Sequence, residues 1–126
     1  MERKRGPNKV FTALLTAVGN TAVWTPSAGK KFRLMKYFVQ ITDNAALAVA
    51  GVLEFIFQDN TTNMPLGFST FLPGAAGTTL GAEVSTPWID LGNGILSIAS
   101  NNILNGNLSA ALTAGEIRVI TIGIEE

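Results

Sequence analysis

Apolar and polar residues alternate along much of this chain, and short apolar runs are divided at brief intervals by Gly, Asn, Asp and Pro. From residue 53 to 58, Leu53, Phe55 and Phe57 share one phase while Glu54, Ile56 and Gln58 share the other. That is the two-residue period of a β-strand with one strongly apolar face, and it predicts a central strand with Leu53, Phe55 and Phe57 pointing inward. Turn marks recur at Gly19-Asn20, Ser27-Ala28-Gly29, Asp43-Asn44, Asp59-Asn60, Pro73-Gly74, Gly92-Asn93-Gly94, Asn101-Asn102, Asn105-Gly106-Asn107 and Ala114-Gly115. The runs between them predict strands near residues 9–18, 21–25, 31–42, 50–58, 65–72, 82–90, 94–99, 108–112 and 116–124. The fold class is therefore all-β, a single-domain antiparallel β-sandwich of about eight strands.

Two runs break the simple period. In Phe32-Arg-Leu-Met-Lys-Tyr-Phe-Val-Gln-Ile the apolar residues begin on even positions and end on odd ones. One strand cannot change face without an irregularity, so a bulge is expected near Met35-Lys36. In the last run, Ile117 and Val119 share one phase and Ile120, Ile122 and Ile124 the other. Either a bulge intervenes, or both faces are buried because one packs on another subunit. Phe32, Leu34, Phe38 and Ile122 complete the expected core. Residues 45–50 favour helix but are too few for more than a turn. The segment Pro73-Gly-Ala-Ala-Gly-Thr-Thr-Leu-Gly is expected to be the most flexible loop, at the rim of the sandwich. It lacks the Lys of a phosphate-cradling loop and receives no nucleotide role.

Composition changes the picture in one respect. Charged residues make up 14% of the 126, against a usual ~25%, while 47% are hydrophobic. So small a chain with so little polar surface is expected to bury part of itself against other subunits. No membrane span is expected, because the longest apolar candidate, residues 47–57, falls well short of the roughly 20 needed and contains Glu54. Met1-Glu-Arg-Lys-Arg before an apolar stretch imitates an export signal, but Thr12 and Thr16 dilute that stretch and none is expected.

The zero net charge conceals an asymmetry. Residues 1–36 hold eight basic side chains against Glu2 alone, and residues 37–126 hold eight carboxylates against Arg118 alone. Either the two sets meet within one folded chain, or Arg3, Lys4 and Arg5 in a basic N-terminal arm (residues 1–9, before a sandwich domain of residues 10–126) reach an acidic surface on a neighbour that includes Glu125 and Glu126. Such complementarity sets register more than affinity. The arm contains Gly6 and Pro7 and would fray in an isolated domain, so a partner is expected to hold it. Nucleic acid is disfavoured as that partner, since no aromatic is interleaved with the basic residues and the remaining surface is acidic.

The chain contains neither His nor Cys. That removes imidazole and thiolate catalysis, zinc sites and disulfides. Asp43, Glu54, Asp59, Glu83 and Asp90 fall on different predicted elements, and none forms a calcium loop. No enzyme activity, metal or cofactor is expected. Trp24 and Trp88, each beside a proline, are partner-binding candidates. They could anchor a subunit interface, or, with Tyr37, stack on sugar rings as in small carbohydrate-binding modules. Asn60-Thr-Thr and Asn107-Leu-Ser match a glycosylation pattern that arises readily by chance in an Asn- and Thr-rich chain.

The stretch Trp24-Thr-Pro-Ser-Ala-Gly-Lys-Lys-Phe-Arg-Leu, the Asn-rich region 101–107 before Leu108-Ser-Ala-Ala, and the isoleucine-rich final strand ending in Glu125-Glu126 cover about a quarter of the chain. In these the sequence resembles small jelly-roll structural proteins of virions, of the phage decoration and minor capsid type. The resemblance implies a jelly-roll-like capsid-surface protein, a homo-oligomer and commonly a trimer, whose arm grips a major shell protein. It transfers no functional residue. The expected function is a non-enzymatic structural subunit on a virion surface, the alternatives being a subunit of an extracellular or cell-surface fibre and the sugar-binding module.

Overall fold

The run with the phase change builds the strand around which the molecule is organised. A computed structural model describes residues 7–43, 53–66, 69–71, 82–109 and 116–126. Its strands are β1 (Lys9–Leu15), β2 (Gly19–Trp24), β3 (Phe32–Asp43), β4 (Leu53–Asp59), β5 (Thr62–Asn63), β6 (Ser69–Phe71), β7 (Ala82–Ser85), β8 (Ile89–Leu96), β9 (Leu104–Leu108) and β10 (Glu116–Glu125). One sheet runs β1-β10-β3, with β7 and β8 both along the far edge of β3. The other runs β2-β9-β4, with β5 and β6 both along the far edge of β4. Every pairing is antiparallel. The two sheets share one core, so the chain is a β-sandwich, with no helix among the described residues.

The expected irregularity falls at Met35. Ile122 of β10 pairs with Lys36 and Gly123 with Leu34, and on the other side Asp90 pairs with Lys36 and Ile95 with Leu34. Met35 is unpaired on both sides. Phe32 and Leu34 are therefore buried before the bulge, and Tyr37, Val39 and Ile41 after it. One extra residue turns every later side chain of β3 to the opposite face.

With no disulfide available, apolar packing holds the sandwich. Trp24, Phe32, Phe55 and Phe57 are fully buried, and burying each such side chain contributes roughly 1.5–3 kcal/mol. Trp24 stacks on Phe11 at 4.9 Å and tilts against Phe32 at 5.7 Å. Phe57 meets Phe55 and Tyr37 edge-on, each at 4.9 Å. Two inward positions are glycine because larger neighbours fill the space. A Cβ on Gly106 would lie 2.7 Å from Leu15 Cδ2 and from Phe55 Cε2, and one on Gly123 would press on the Trp24 ring and the Arg33 carbonyl.

Three expectations need correction. The strand expected at residues 108–112 is β9, Leu104–Leu108. The strand expected at 82–90 is two segments, broken at Pro87, where Thr86 still exchanges hydrogen bonds with Val39: its N–H donates to the Val39 carbonyl (2.9 Å) and its Oγ1 accepts from the Val39 N–H (3.1 Å). Proline is tolerated there because this is a sheet edge. Phe38 and Ile122 are half-exposed rather than core, since the Met35 bulge places them on the outer phase of their sheet. The helical turn at 45–50, the loop at 73–81, Arg3, Lys4 and Arg5 lie outside the described residues, as does the side chain of Leu53.

Candidate assembly surface

In the first sheet the outward phase of β1, β10 and β3 carries apolar residues among the polar ones that water would be expected to select. Val10, Thr12 and Leu14 of β1 pair with Ile122, Ile120 and Arg118 of β10, which pair in turn with Lys36, Phe38 and Gln40 of β3. Trp88, at the break between β7 and β8, tilts against Phe38 with ring centroids 5.5 Å apart. Val10 is 62% exposed, Leu14 51% and Trp88 52%. Val10, Leu14, Phe38, Trp88, Ile120 and Ile122 thus form an apolar tract across β1, β10 and β3 with Trp88 at its edge, Phe38, Ile120 and Ile122 being half-buried within it. Contiguous exposed tracts of this kind mark interaction sites, whereas scattered apolar residues do not.

Charges interrupt the tract. Lys36 Nζ stands 3.8 Å from Asp90 Oδ2, and Arg118 Nη2 3.6 Å from Glu116 Oε1. The side chains of Lys36, Asp90 and Arg118 are about half-exposed or more, so these pairs add little to the stability of the single chain. Lys36 and Arg118 stand among the apolar residues, Lys36 paired with Ile122 and Arg118 with Leu14. The outer face of the second sheet differs in kind. There Asn107 Nδ2 donates to Asn20 Oδ1 (2.6 Å), Gln58 Nε2 to Asn63 Oδ1 (2.8 Å) and Asn105 Nδ2 to the Asn60 carbonyl (2.8 Å). Amides satisfied in this way suit a face that stays in water.

The residues proposed from sequence separate. Trp88 stands on the apolar tract. Trp24 does not reach the surface. It is fully buried between Phe11 and Phe32, and its Nε1 donates to Glu125 Oε1 at 3.3 Å, so it anchors the core rather than a partner. Tyr37 is 8% exposed, and burial raises its phenol above the usual tyrosine range.

Glu125 and Glu126 are engaged within the chain. The Glu125 side chain, 9% exposed, accepts from Trp24 and from the Ser27 N–H (3.1 Å) and lies 3.3 Å from Lys9 Nζ. Burial opposes its ionisation, but hydrogen bonds from Ser27, Trp24 and Lys9 outweigh that effect and hold the carboxyl below the ordinary glutamate range. Glu126 receives a two-pronged contact from Arg33, Nε at 2.9 Å and Nη2 at 3.1 Å. Lys9–Glu125, Arg33–Glu126 and Lys36–Asp90 each join the basic first third of the sequence to the acidic remainder. Much of the charge asymmetry is thus an internal clasp.

Sequence reasoning missed Val10, Leu14 and Phe38 as surface residues. The signal that could have found them is the double apolar phase of β10, which needs something to cover its outer side. Among the described residues no group of three or more Asp or Glu stands close enough to hold a metal ion. No protein-family model matches the chain, and no curated protein matches it.

Proposed function

We propose that the chain is a non-enzymatic jelly-roll subunit that associates with copies of itself through the outer face of the β1-β10-β3-β8 sheet, as a decoration or minor capsid protein on a virion surface. The observation that carries this is the apolar tract of Val10, Leu14, Phe38, Trp88, Ile120 and Ile122, opposite a polar face rich in satisfied amides.

Strand order supports the jelly-roll reading. Counting β7 and β8 as one interrupted edge strand, and β5 and β6 as another, leaves eight strands, and one sheet reads first, eighth, third, sixth and the other second, seventh, fourth, fifth. Successive strands cross between sheets except at β4 to β5 and β6, and the first two strands neighbour the last two. That order is in keeping with two Greek keys wrapped into a double-sheet roll, an architecture used by capsid and lectin domains. The likeness of residues 24–34, 101–107 and the final strand to virion proteins supports the capsid setting. In that setting the basic arm, with Arg3, Lys4 and Arg5, docks on a major shell protein. The sugar-binding reading is weaker, because burial of Trp24 and Tyr37 leaves Trp88 alone where a row of rings is required.

Sedimentation velocity tests the proposal. An assembly subunit sediments well above 13.3 kDa, in a form that persists at high salt because apolar contact carries it. A species that stays monomeric at all accessible concentrations overturns it. Electron microscopy of the assembled material separates a closed particle component from a fibre.

A further inference from the structure

Two Asn-Gly pairs lie in the described residues, and the fold treats them in opposite ways. Asn105-Gly106 is inside β9. Gly106 is paired with Thr21 on one side and Phe57 on the other, the space over its α-carbon is filled by Leu15 and Phe55, and the Asn105 side chain is tied to the Asn60 carbonyl at 2.8 Å. Asn93-Gly94 lies on an edge strand, where β8 loops out between Asp90 and Ile95 while β3 advances only from Lys36 to Leu34. Asn93 is exposed. It sits between Gly92 at φ +65°, with open space over its α-carbon, and Gly94 at φ +80°, whose α-carbon packs against the Leu34 carbonyl and the Arg33 and Met35 side chains, so the two sites differ in the exposure and tethering of the asparagine and not in the room over the glycine. The Asn93 carbonyl also accepts a hydrogen bond from Arg33 Nη1 at 3.1 Å.

We propose that Asn93 is a built-in deamidation site, activated by Arg33, while Asn105 is protected. The peptide nitrogen of Gly94 loses its proton to solvent base and attacks the side-chain carbonyl carbon of Asn93. A five-membered succinimide forms and the amide nitrogen leaves as ammonia. Water then opens the ring at either carbonyl, giving aspartate or isoaspartate at position 93. The Asn93 carbonyl and the Gly94 nitrogen belong to one peptide group. When that nitrogen is deprotonated the negative charge spreads onto the carbonyl oxygen, where the guanidinium of Arg33 already donates. A hydrogen bond to the charged form favours it, so the nucleophile is easier to generate in the folded chain than in an unfolded one.

The product has a structural consequence. A new carboxylate enters the same loop as Asp90, whose Oδ1 holds the Gly92 N–H at 2.8 Å, at the rim of the apolar tract. Isoaspartate also adds a methylene to the backbone of the edge strand carrying that rim.

Peptide mapping by mass spectrometry tests this on the native protein aged in mildly alkaline buffer. The expected result is a gain of roughly one dalton at position 93, none at 105 while the protein is folded, and both sites reacting alike in urea. Arg33→Lys, which keeps the charge but loses the planar fork, should slow the reaction at 93 several-fold; circular dichroism confirms that it folds. Equal rates at 93 and 105 in the folded protein overturn the proposal, as does a slower reaction at 93 in the folded chain than in the unfolded one. The second comparison needs no variant.

Discussion

Replacing Gly123 by Ala tests how tightly the two sheets close on each other. The new methyl would lie 2.7 Å from Cζ3 and 2.8 Å from Cη2 of Trp24, and would also press on the Arg33 carbonyl. Ordinary carbon contacts are about 3.5–4.0 Å. Neither neighbour can withdraw. The indole is fully buried, stacked on Phe11 and tied through Nε1 to Glu125, and the carbonyl belongs to the backbone of β3. Overpacking of this kind costs about 1–3 kcal/mol, and rigid neighbours on both sides place Gly123→Ala at the upper end. Lower entropy of the unfolded chain offsets about 0.4–1 kcal/mol, leaving a net loss of roughly 2 kcal/mol. For a chain of this length that lowers the melting temperature by roughly 6–12 °C. Gly106→Ala is the control. Its methyl meets the side-chain tips of Leu15 and Phe55, which can rotate, so its loss should be about half as large. Thermal and urea unfolding followed by circular dichroism, at one fixed protein concentration because association shifts the midpoint, reads both. Equal stability of wild type and Gly123→Ala, or a larger loss for Gly106→Ala, would refute the packing argument.

Phe55→Ala, at a fully buried position on a central strand, should cost about 3–5 kcal/mol by the same unfolding measurements. The depressed carboxyl of Glu125 makes the fold sensitive to acid: its contribution is fully present above the ordinary glutamate range and is lost as pH falls through the lower folded value. Glu125→Gln should therefore be destabilising at neutral pH and nearly neutral in strong acid, and a difference that grows on acidification would contradict this. On the proposed reading of an arm outside the sandwich, changing Arg3, Lys4 and Arg5 together to Glu should leave the melting temperature within about 1 °C, since substitutions away from the core rarely exceed ~0.5 kcal/mol. If the arm docks on a shell protein as proposed, the same change should weaken that docking at low salt, where the Debye length is ~10 Å, and far less at 1 M salt, where it is ~3 Å.

The sequence made some features legible and concealed others for identifiable reasons. The bulge at Met35 could be read in advance because the apolar residues of β3 change parity in the middle of an otherwise unbroken strand, and only an inserted residue accommodates that. The strand β9 was hidden because Leu-Asn-Gly-Asn-Leu carries strong turn residues. Leu104, Gly106 and Leu108 face inward, with Leu15 and Phe55 occupying the space over the glycine, and Asn105 and Asn107 find amide and carbonyl partners outside. Turn chemistry was thus overridden by tertiary contacts. Gly92-Asn93-Gly94 was similarly read as a turn between strands and is an excursion within β8.

The candidate surface was half-legible. The double phase of the last strand and the shortage of charge called for a covered outer face, and that reasoning used no structure. Which apolar residues were inside could not be decided, because a two-residue period names two faces without saying which is the core. Phe38 and Ile122 were assigned inward on that ambiguity. Trp24 and Trp88 have similar Pro-flanked surroundings in sequence, yet one fills the core and the other lies half-exposed against Phe38. Only the side of the sheet each faces separates them: Trp24 ends β2 on the inner face, against Phe11, Phe32 and Gly123 of the other sheet, and Trp88 falls where Pro87 interrupts an edge and lies on the outer face.

On the proposed function, the apolar outer face of the first sheet holds copies of the chain together. Completing the burial of Trp88, now 52% exposed, would remove roughly 100 Å² from water and contribute ~2–3 kcal/mol at each such contact. Sedimentation velocity of the native chain beside the double variant Trp88→Ser, Ile120→Asp tests this directly, with circular dichroism showing that both retain the β fold. The account predicts assemblies well above 13.3 kDa for the native chain, unchanged at 1 M salt, and a 13.3 kDa monomer for the variant. A native chain that is already monomeric, or a folded variant that assembles as the native chain does, would contradict it.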